Sequence, residues 1–142
     1  MESNLHQITF DSGFWFYIPE IKIHLKTKIP IFDNEDPLNF KAYTLELPFF
    51  ENQTKEAFFY FYNHELLGFF NECSHIKVPM DLGDHRFFDQ NGNLICRVHG
   101  ATFCPKTGLV KRGPARKPLL KILLNFYQET NILVIRGFYH SS

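Results

Sequence analysis

A chain of 142 residues, 44% of them apolar, has the length of one domain and enough apolar side chains for a hydrophobic core. Its 17 Phe and 6 Tyr favour β-strands, and a charged fraction of only 21% argues against long disordered segments. The net charge is zero but unevenly placed: residues 1–72 hold 5 Lys/Arg and 11 Asp/Glu, and residues 73–142 hold 10 Lys/Arg and 4 Asp/Glu. The basic residues form no long run with interleaved aromatics, so no nucleic-acid partner is expected.

The N-terminal segment has none of the features of a targeting signal. It lacks a basic region, and Glu2 and Asp11 interrupt its apolar residues. No apolar run approaches the roughly 20 residues that a membrane-spanning helix needs, so no membrane contact is expected. Three cysteines are an odd, low number that does not resemble a disulfide framework. Together these features predict a soluble cytoplasmic protein with reduced thiols.

Residues 1–38 are expected to form an N-terminal extension. Three short strands are predicted in it, at residues 6–10, 14–18 and 21–26, the last because apolar and polar side chains alternate along it. Pro30, Pro37 and an acidic turn cluster at residues 33–36 then mark the predicted boundary of the main domain, which comprises residues 39–142.

The main domain shows strand and turn signals to its C-terminus, while helical periodicity is weak. Strands or hairpins are predicted at residues 41–49, 56–72 (turn near Asn63), 86–98 (turn at Asn91-Gly92) and 119–139 (turn at 129–131). Periodicity alone would also allow a short helix at residues 119–126, but the turn and strand that follow favour a hairpin. Many short strands with turn signals predict an all-β fold, a small sandwich or barrel.

Two cysteines and two histidines form the strongest motif in the sequence. Cys73-x-His75 is followed twenty residues later by Cys96-x-x-His99, each pair on a loop after a predicted strand. Such a set can hold zinc or a [2Fe–2S] cluster. Zinc fingers usually pair Cys with Cys and His with His, whereas each pair here is mixed. Mixed pairs suit a two-iron cluster in which one iron takes both cysteines and the other takes both histidines.

The residues around this motif resemble the Rieske [2Fe–2S] proteins, from about residue 40 to the C-terminus. Besides the four ligand positions, the matching features are His99-Gly100-Ala101-x-Phe103, Thr107-Gly108, the proline loop Gly113-Pro114-Ala115, and Pro79-Met80 after the first histidine. The resemblance implies an antiparallel β sandwich or barrel with a cluster-binding subdomain of two loops. Residues 86–101 also resemble the small bacterial stand-alone members of the family.

The resemblance also implies a role for each ligand. Cys73 and Cys96 would bind the inner, ferric iron as thiolates, and His75 and His99 would bind the outer, redox-active iron near solvent. Backbone N–H groups of both loops would donate hydrogen bonds to the sulfurs, and such donors raise the reduction potential.

Four positions depart from the Rieske proteins of cytochrome bc complexes. Val78 and Val98 occupy the positions of the two cysteines that link the cluster loops by a disulfide there. Ala101 and Phe103 occupy the positions of a Ser and a Tyr whose hydroxyls donate hydrogen bonds to cluster sulfurs. With two donors missing, the potential is predicted at the lower end of the roughly −150 to +300 mV Rieske range, which suits ferredoxin-like electron delivery.

The function that follows from the resemblance is one-electron transfer from a reductase to an oxygenase or another terminal enzyme. The chain itself would not be an enzyme, because 142 residues leave no room for the separate iron domain of a Rieske oxygenase. Two alternatives stay open: a small Rieske subunit of a larger redox enzyme of the nitrite reductase type, and a structural zinc-binding module.

Two further features have a functional and a purely structural interpretation. Cys104 could be a fifth ligand or a redox thiol, but a cluster needs only four protein ligands, so a half-buried structural thiol is expected. Lys111, Arg112, Arg116 and Lys117 flank the proline loop. They form either a solvated basic turn or a docking patch for an acidic redox partner.

Overall fold

The computed structural model describes residues 6–10, 13–33, 35–49 and 52–141. This part of the chain consists of strands and loops with no α-helix, which confirms the all-β prediction. The ten strands are β1 (His6–Phe10), β2 (Gly13–His24), β3 (Tyr43–Pro48), β4 (Thr54–Tyr62), β5 (Glu65–Phe70), β6 (Leu94–Ile95), β7 (Thr102–Phe103), β8 (Val110–Arg112), β9 (Leu120–Tyr127) and β10 (Ile132–His140).

Seven strands form one antiparallel sheet in the order β1-β2-β10-β9-β5-β4-β3, which curls into a half-barrel. The remaining three form a small sheet in the order β6-β7-β8. Residues 71–93 connect β5 of the large sheet to β6 of the small one, and residues 113–119 lead back to β9. The segments that carry the predicted ligands therefore lie where the two sheets meet.

The two strands predicted at residues 14–18 and 21–26 are one continuous strand, β2. It pairs with β10 from Ile132↔His24 to Tyr139↔Trp15, and a register shift between Ile135 and Gly137 divides the pairing into two regular stretches. Sequence reasoning separated the two stretches because it detects side-chain alternation and cannot detect the partner strand. The division of the chain after residue 38 stays a prediction, and β2 lies in the same sheet as β9 and β10.

The predicted hairpins β4–β5 and β9–β10 are present, whereas the one predicted at residues 86–98 is reduced to a turn with a single bridge between Phe88 and Leu94. The β4–β5 turn places Asn63 at φ 49° and His64 at φ 67°, as a two-residue type I′ turn requires. At the turn within residues 86–98 the N–H of Asp89 donates to the carbonyl of Asn93 (2.8 Å), and Gly92 adopts φ 78°. Residues 119–126, which periodicity alone allowed as a helix, lie mainly in β9.

Strand β4 separates two hydrophobic cores because its side chains alternate between the faces of the sheet. Phe58 and Tyr60 pack into the core that contains Cys73 and Cys96. Ala57 and Phe59 face the second core, between the large sheet and the segment after β2. Phe58 and Tyr60 therefore pack in the same core as the two cysteines, whereas Phe59 lies on the other side of the strand.

Candidate metal centre

Two loops carry the four side chains that the sequence analysis predicts as ligands. The side chains of Cys73 and Cys96 are completely buried, whereas His75 and His99 are exposed. The centroids of the two imidazole rings lie 5.4 Å apart, and the rings are nearly perpendicular, at 88°. The structure therefore brings the two Cys-His pairs together, with the thiols inside and the imidazoles at the surface.

The first loop, residues 73–80, turns its backbone toward the thiol of Cys73. The N–H of Cys73 donates to the carbonyl of Val78 (2.9 Å), which closes the loop. The N–H groups of His75 and Ile76 donate to the sulfur of Cys73. Backbone N–H groups stabilise a sulfur that carries negative charge by donating hydrogen bonds to it.

The second loop, residues 96–101, is a tight knuckle. The N–H of Cys96 donates to the carbonyl of Ala101, and the N–H of Gly100 donates back to the carbonyl of Cys96, both at 2.8 Å. Gly100 has φ 82°, a left-handed conformation that glycine adopts without the strain of a Cβ atom. The turn at Gly100 places His99 at the exposed end of the knuckle.

Polar contacts join the loops where Val78 and Val98 stand at the disulfide positions. The N–H of Arg97 donates to the carbonyl of Met80 (2.9 Å), and the Arg97 guanidinium pairs with Asp84 at 2.6 Å. The hydroxyl of Ser74 donates to the carbonyl of Lys117 (2.5 Å), which fixes the first loop to the segment just after the proline loop.

Sequence reasoning missed the two side chains that support the first loop from below. Asp81 is buried, and its carboxylate accepts hydrogen bonds from Nδ2 of Asn71 (2.9 Å) and from the N–H of His85 (2.9 Å). The Oδ1 of Asn71 accepts from the N–H of Met80 (2.8 Å). Their sequence spacing follows no periodic pattern, and the only available signal was a lone carboxylate in an otherwise apolar stretch.

Burial and neighbouring groups set the pKa of the buried Cys73 thiol. Burial raises the pKa of the Cys73 thiol; hydrogen bonds from the N–H groups of His75 and Ile76 lower it, and the adjacent Cys96 side chain raises it. The net effect is a raised pKa, so the neutral thiol is favoured unless a cation compensates the charge. Two adjacent buried thiols suit a metal that replaces their protons.

Comparison with known proteins agrees with this donor set. A family model for the Rieske [2Fe-2S] domain matches residues 28–128. The chain belongs to the Rieske family. No curated protein has significant sequence similarity to it. The Rieske match begins before residue 39, where the sequence analysis placed the start of the domain.

Rieske domains bind a [2Fe–2S] cluster and function in electron transfer, as carriers or as subunits of larger enzymes. In the described ranges, no three His, Cys, Asp or Glu side chains are grouped so that they could hold one metal ion. A Rieske cluster takes two protein ligands at each iron, and two buried thiols beside two exposed imidazoles match that number. No helix in the same ranges is long and apolar enough to cross a membrane.

Ala101 and Phe103, which stand at the hydroxyl positions of the cytochrome bc-type Rieske proteins, are both completely buried. They pack in the same core as Cys73 and Cys96. At these two positions the chain presents hydrocarbon where those relatives present hydroxyl donors.

Cys104 lies in a second knuckle with the backbone pattern of the Cys96 knuckle. Its N–H donates to the carbonyl of Leu109, and the N–H of Gly108 donates to the carbonyl of Cys104, both at 2.8 Å. Burial raises the pKa of this half-buried thiol, but hydrogen bonds from the hydroxyl and N–H of Thr107 and the N–H of Lys106, with the charge of Lys111, lower it overall. The resemblance between the two knuckles explains why Cys104 looks like a ligand in the sequence.

Proposed function

We propose that Cys73 and Cys96 ligate one iron of a [2Fe–2S] cluster and that His75 and His99 ligate the other. The observation that carries this proposal is the difference in burial between the proposed ligands: both thiols are fully buried and both imidazoles are exposed. A Rieske cluster requires this order, because its histidine-bound iron is the one that exchanges electrons.

When bound, the cluster supplies a centre that accepts and releases one electron. The chain excludes water from the cysteine side through the core around Phe58 and Tyr60. The N–H groups of His75 and Ile76 stabilise negative charge on the Cys73 sulfur. The exposed imidazoles provide the short path between the site and a partner at the surface.

We further propose that the chain is a ferredoxin-like carrier in the cytoplasm. It passes single electrons from a reductase to an oxygenase or another terminal enzyme. Buried hydrocarbon at Ala101 and Phe103 supports a potential low in the Rieske range, because two hydrogen bonds that would stabilise the reduced cluster are missing. A low potential suits delivery of electrons to an oxygenase better than oxidation of a quinol.

Metal analysis combined with electron paramagnetic resonance (EPR) tests the ligand assignment. The purified chain should be reddish-brown and contain two irons per molecule, and after dithionite reduction its spectrum should show the low average g of a histidine-ligated cluster. A colourless protein with one zinc per chain would establish the zinc-module alternative instead. A coloured protein with the spectrum of an all-cysteine ferredoxin would remove the histidines from the ligand set.

A further inference from the structure

The surface around the two proposed histidine ligands has an exposed apolar centre. Ile76 is 43% exposed and Val98 is 48% exposed, and each directly adjoins one of the histidines in the chain. We name this region the tip surface and define it by His75, Ile76, Lys77, Val98, His99, Arg112 and Lys117. Exposed aliphatic side chains beside a redox site are a feature of surfaces that bind another protein.

Cations border this centre on two sides. Lys77 and Lys117 are exposed and line one groove of about 390 Å³ beside Cys73. Arg112 is also exposed, and its guanidinium lies 3.4 Å from the carbonyl of Gly100, next to His99. Among the residues that the structure describes, none of these three cations forms an ion pair with a carboxylate.

Most of the nearby carboxylates are engaged elsewhere. Glu72, which lines the same groove as Lys77 and Lys117, pairs with Lys55 at 2.5 Å, whereas Glu46 lines a neighbouring cavity with Lys77. Residues 73–118 contain eight Lys/Arg and only three Asp. Asp81 is buried against Asn71, Asp84 pairs with Arg97, and Asp89 accepts hydrogen bonds within its own turn. The positive charge of the tip surface is therefore left for a partner.

Charge is unevenly distributed along the chain. Residues 1–72 have an excess of acidic groups that cancels the basic excess of residues 73–142. A partner with negative charge is attracted to the cations of the tip surface, and such steering accelerates the encounter.

We propose that the tip surface binds an acidic redox protein whose carboxylates pair with Lys77, Lys117 and Arg112 around an apolar contact at Ile76 and Val98. This inference rests on the proposed function, because it takes the two histidines as the point of electron exchange. It adds the charge of the partner and the side chains that recognise it. The pairing would place the partner's redox centre against His75 and His99.

A binding experiment with an acidic probe protein tests this proposal without relying on electron transfer. The oxidised chain is titrated with an oxidised plant-type [2Fe–2S] ferredoxin, and the dissociation constant is measured by calorimetry at about 20 and about 200 mM salt. We expect roughly tenfold weaker binding at the higher salt. The Lys77→Glu/Lys117→Glu double variant should lose about tenfold in affinity at low salt.

A matched control changes the same charge at the other end of the sheet. Lys26 and Lys28 are exposed and follow β2, where Asn131 contacts the carbonyls of Leu25 and Thr27. The 128–131 turn is at the opposite end of β9 from the proline loop. Lys26→Glu/Lys28→Glu should therefore keep the affinity of the unmodified chain within about twofold.

Several results would overturn the proposal. The first is a loss of affinity in the control variant equal to that in the tip variant. The second is a dissociation constant that does not change with salt concentration. The third is tighter binding to basic cytochrome c than to the acidic ferredoxin. EPR of the same preparations separates this question from the proposed function. A histidine-type signal without binding to the acidic probe contradicts only the partner, whereas binding without that signal contradicts only the cluster assignment.

Discussion

The two imidazoles are the only uncharged side chains in the proposed ligand set, and their exposure allows them to be exchanged without disturbing the core. Replacing neutral imidazole by thiolate adds negative charge at the outer iron. We therefore expect His99→Cys to lower the reduction potential or to prevent cluster assembly. Protein-film voltammetry gives the potential, and the iron content distinguishes the two outcomes.

The controls for this substitution are in the same chain. His99→Ala should change the EPR spectrum of the reduced protein, because it removes a proposed ligand. Cys104→Ser should leave the spectrum and the potential as they are, since Cys104 lies in a separate knuckle. An unchanged spectrum in His99→Ala would show that the ligand assignment is wrong.

Hydroxyl groups at positions 101 and 103 should raise the potential. Ala101 and Phe103 pack in the core with both cysteines, so Ala101→Ser and Phe103→Tyr would introduce donors beside the proposed cluster. A hydrogen bond that favours the reduced cluster by about 1–2 kcal/mol raises a one-electron potential by roughly 40–90 mV.

Ala57→Ser is the matched control for the smaller of these two changes. It buries a hydroxyl in the second core, on the opposite face of β4. It should lower stability and leave the potential unchanged. A shift in the control equal to that in Ala101→Ser would attribute the effect to general destabilisation and not to a hydrogen bond at the cluster.

At the scale of single residues, the sequence shows which residue types occur at which spacings, but it does not show which distant side chains are in contact. The pairs Cys73/His75 and Cys96/His99 were recognisable as candidate ligands because a ligand motif is a fixed local spacing. The support from Asn71 and Asp81, and the pairing of Arg97 with Asp84, depend on how the loops cross. Such contacts leave no local pattern, so only the folded chain reveals them.

Gly108 lies in the turn between β7 and β8, and its carbonyl accepts a hydrogen bond from the N–H of Leu119 (2.9 Å), just before β9. It has φ 77°, and a Cβ atom there would lie 2.8 Å from the Phe69 ring and 3.2 Å from Cβ of Leu119. Gly108→Ala should therefore combine backbone strain with overpacking and lower the free energy of unfolding by about 2–4 kcal/mol. The midpoint of urea unfolding, followed by circular dichroism, measures this loss.

Gly83 provides the comparison that isolates the overpacking. It has φ 82°, but a Cβ atom there would meet nothing within 4 Å. Gly83→Ala should cost only the backbone strain, about 1–2 kcal/mol. Equal losses in the two variants would mean that the contact with Phe69 and Leu119 adds nothing.

Strand β2 shows that the sequence can locate a strand without revealing its full length or its partner. Ile21 and Ile23 alternate with exposed Lys22 and His24, and this local alternation correctly indicated a strand. The union of two short strands into one depends on β10, which lies more than 100 residues later in the chain. The hairpins were easier because both partners and the turn lie within one short segment.

At the scale of the whole molecule, the position of β2 bears on the predicted division after residue 38. The family match spans residues 28–128, so a chain of residues 28–142 would contain all of it. That truncated chain would lack β2 and leave the backbone groups of β10 unpaired along one edge. Unpaired edges promote association between chains.

We therefore expect a chain of residues 28–142 to aggregate and to lose its iron, although the proposed ligands are all present in it. A chain of residues 13–142 is the control, because it removes β1 and keeps the pairing of β2 with β10. It should remain monodisperse in size-exclusion chromatography and keep its visible absorbance, since only an outer strand is lost. If residues 28–142 behaved as well as residues 13–142, the N-terminal segment would be a dispensable extension, as its composition suggested, and the β2–β10 pairing would contribute little to stability.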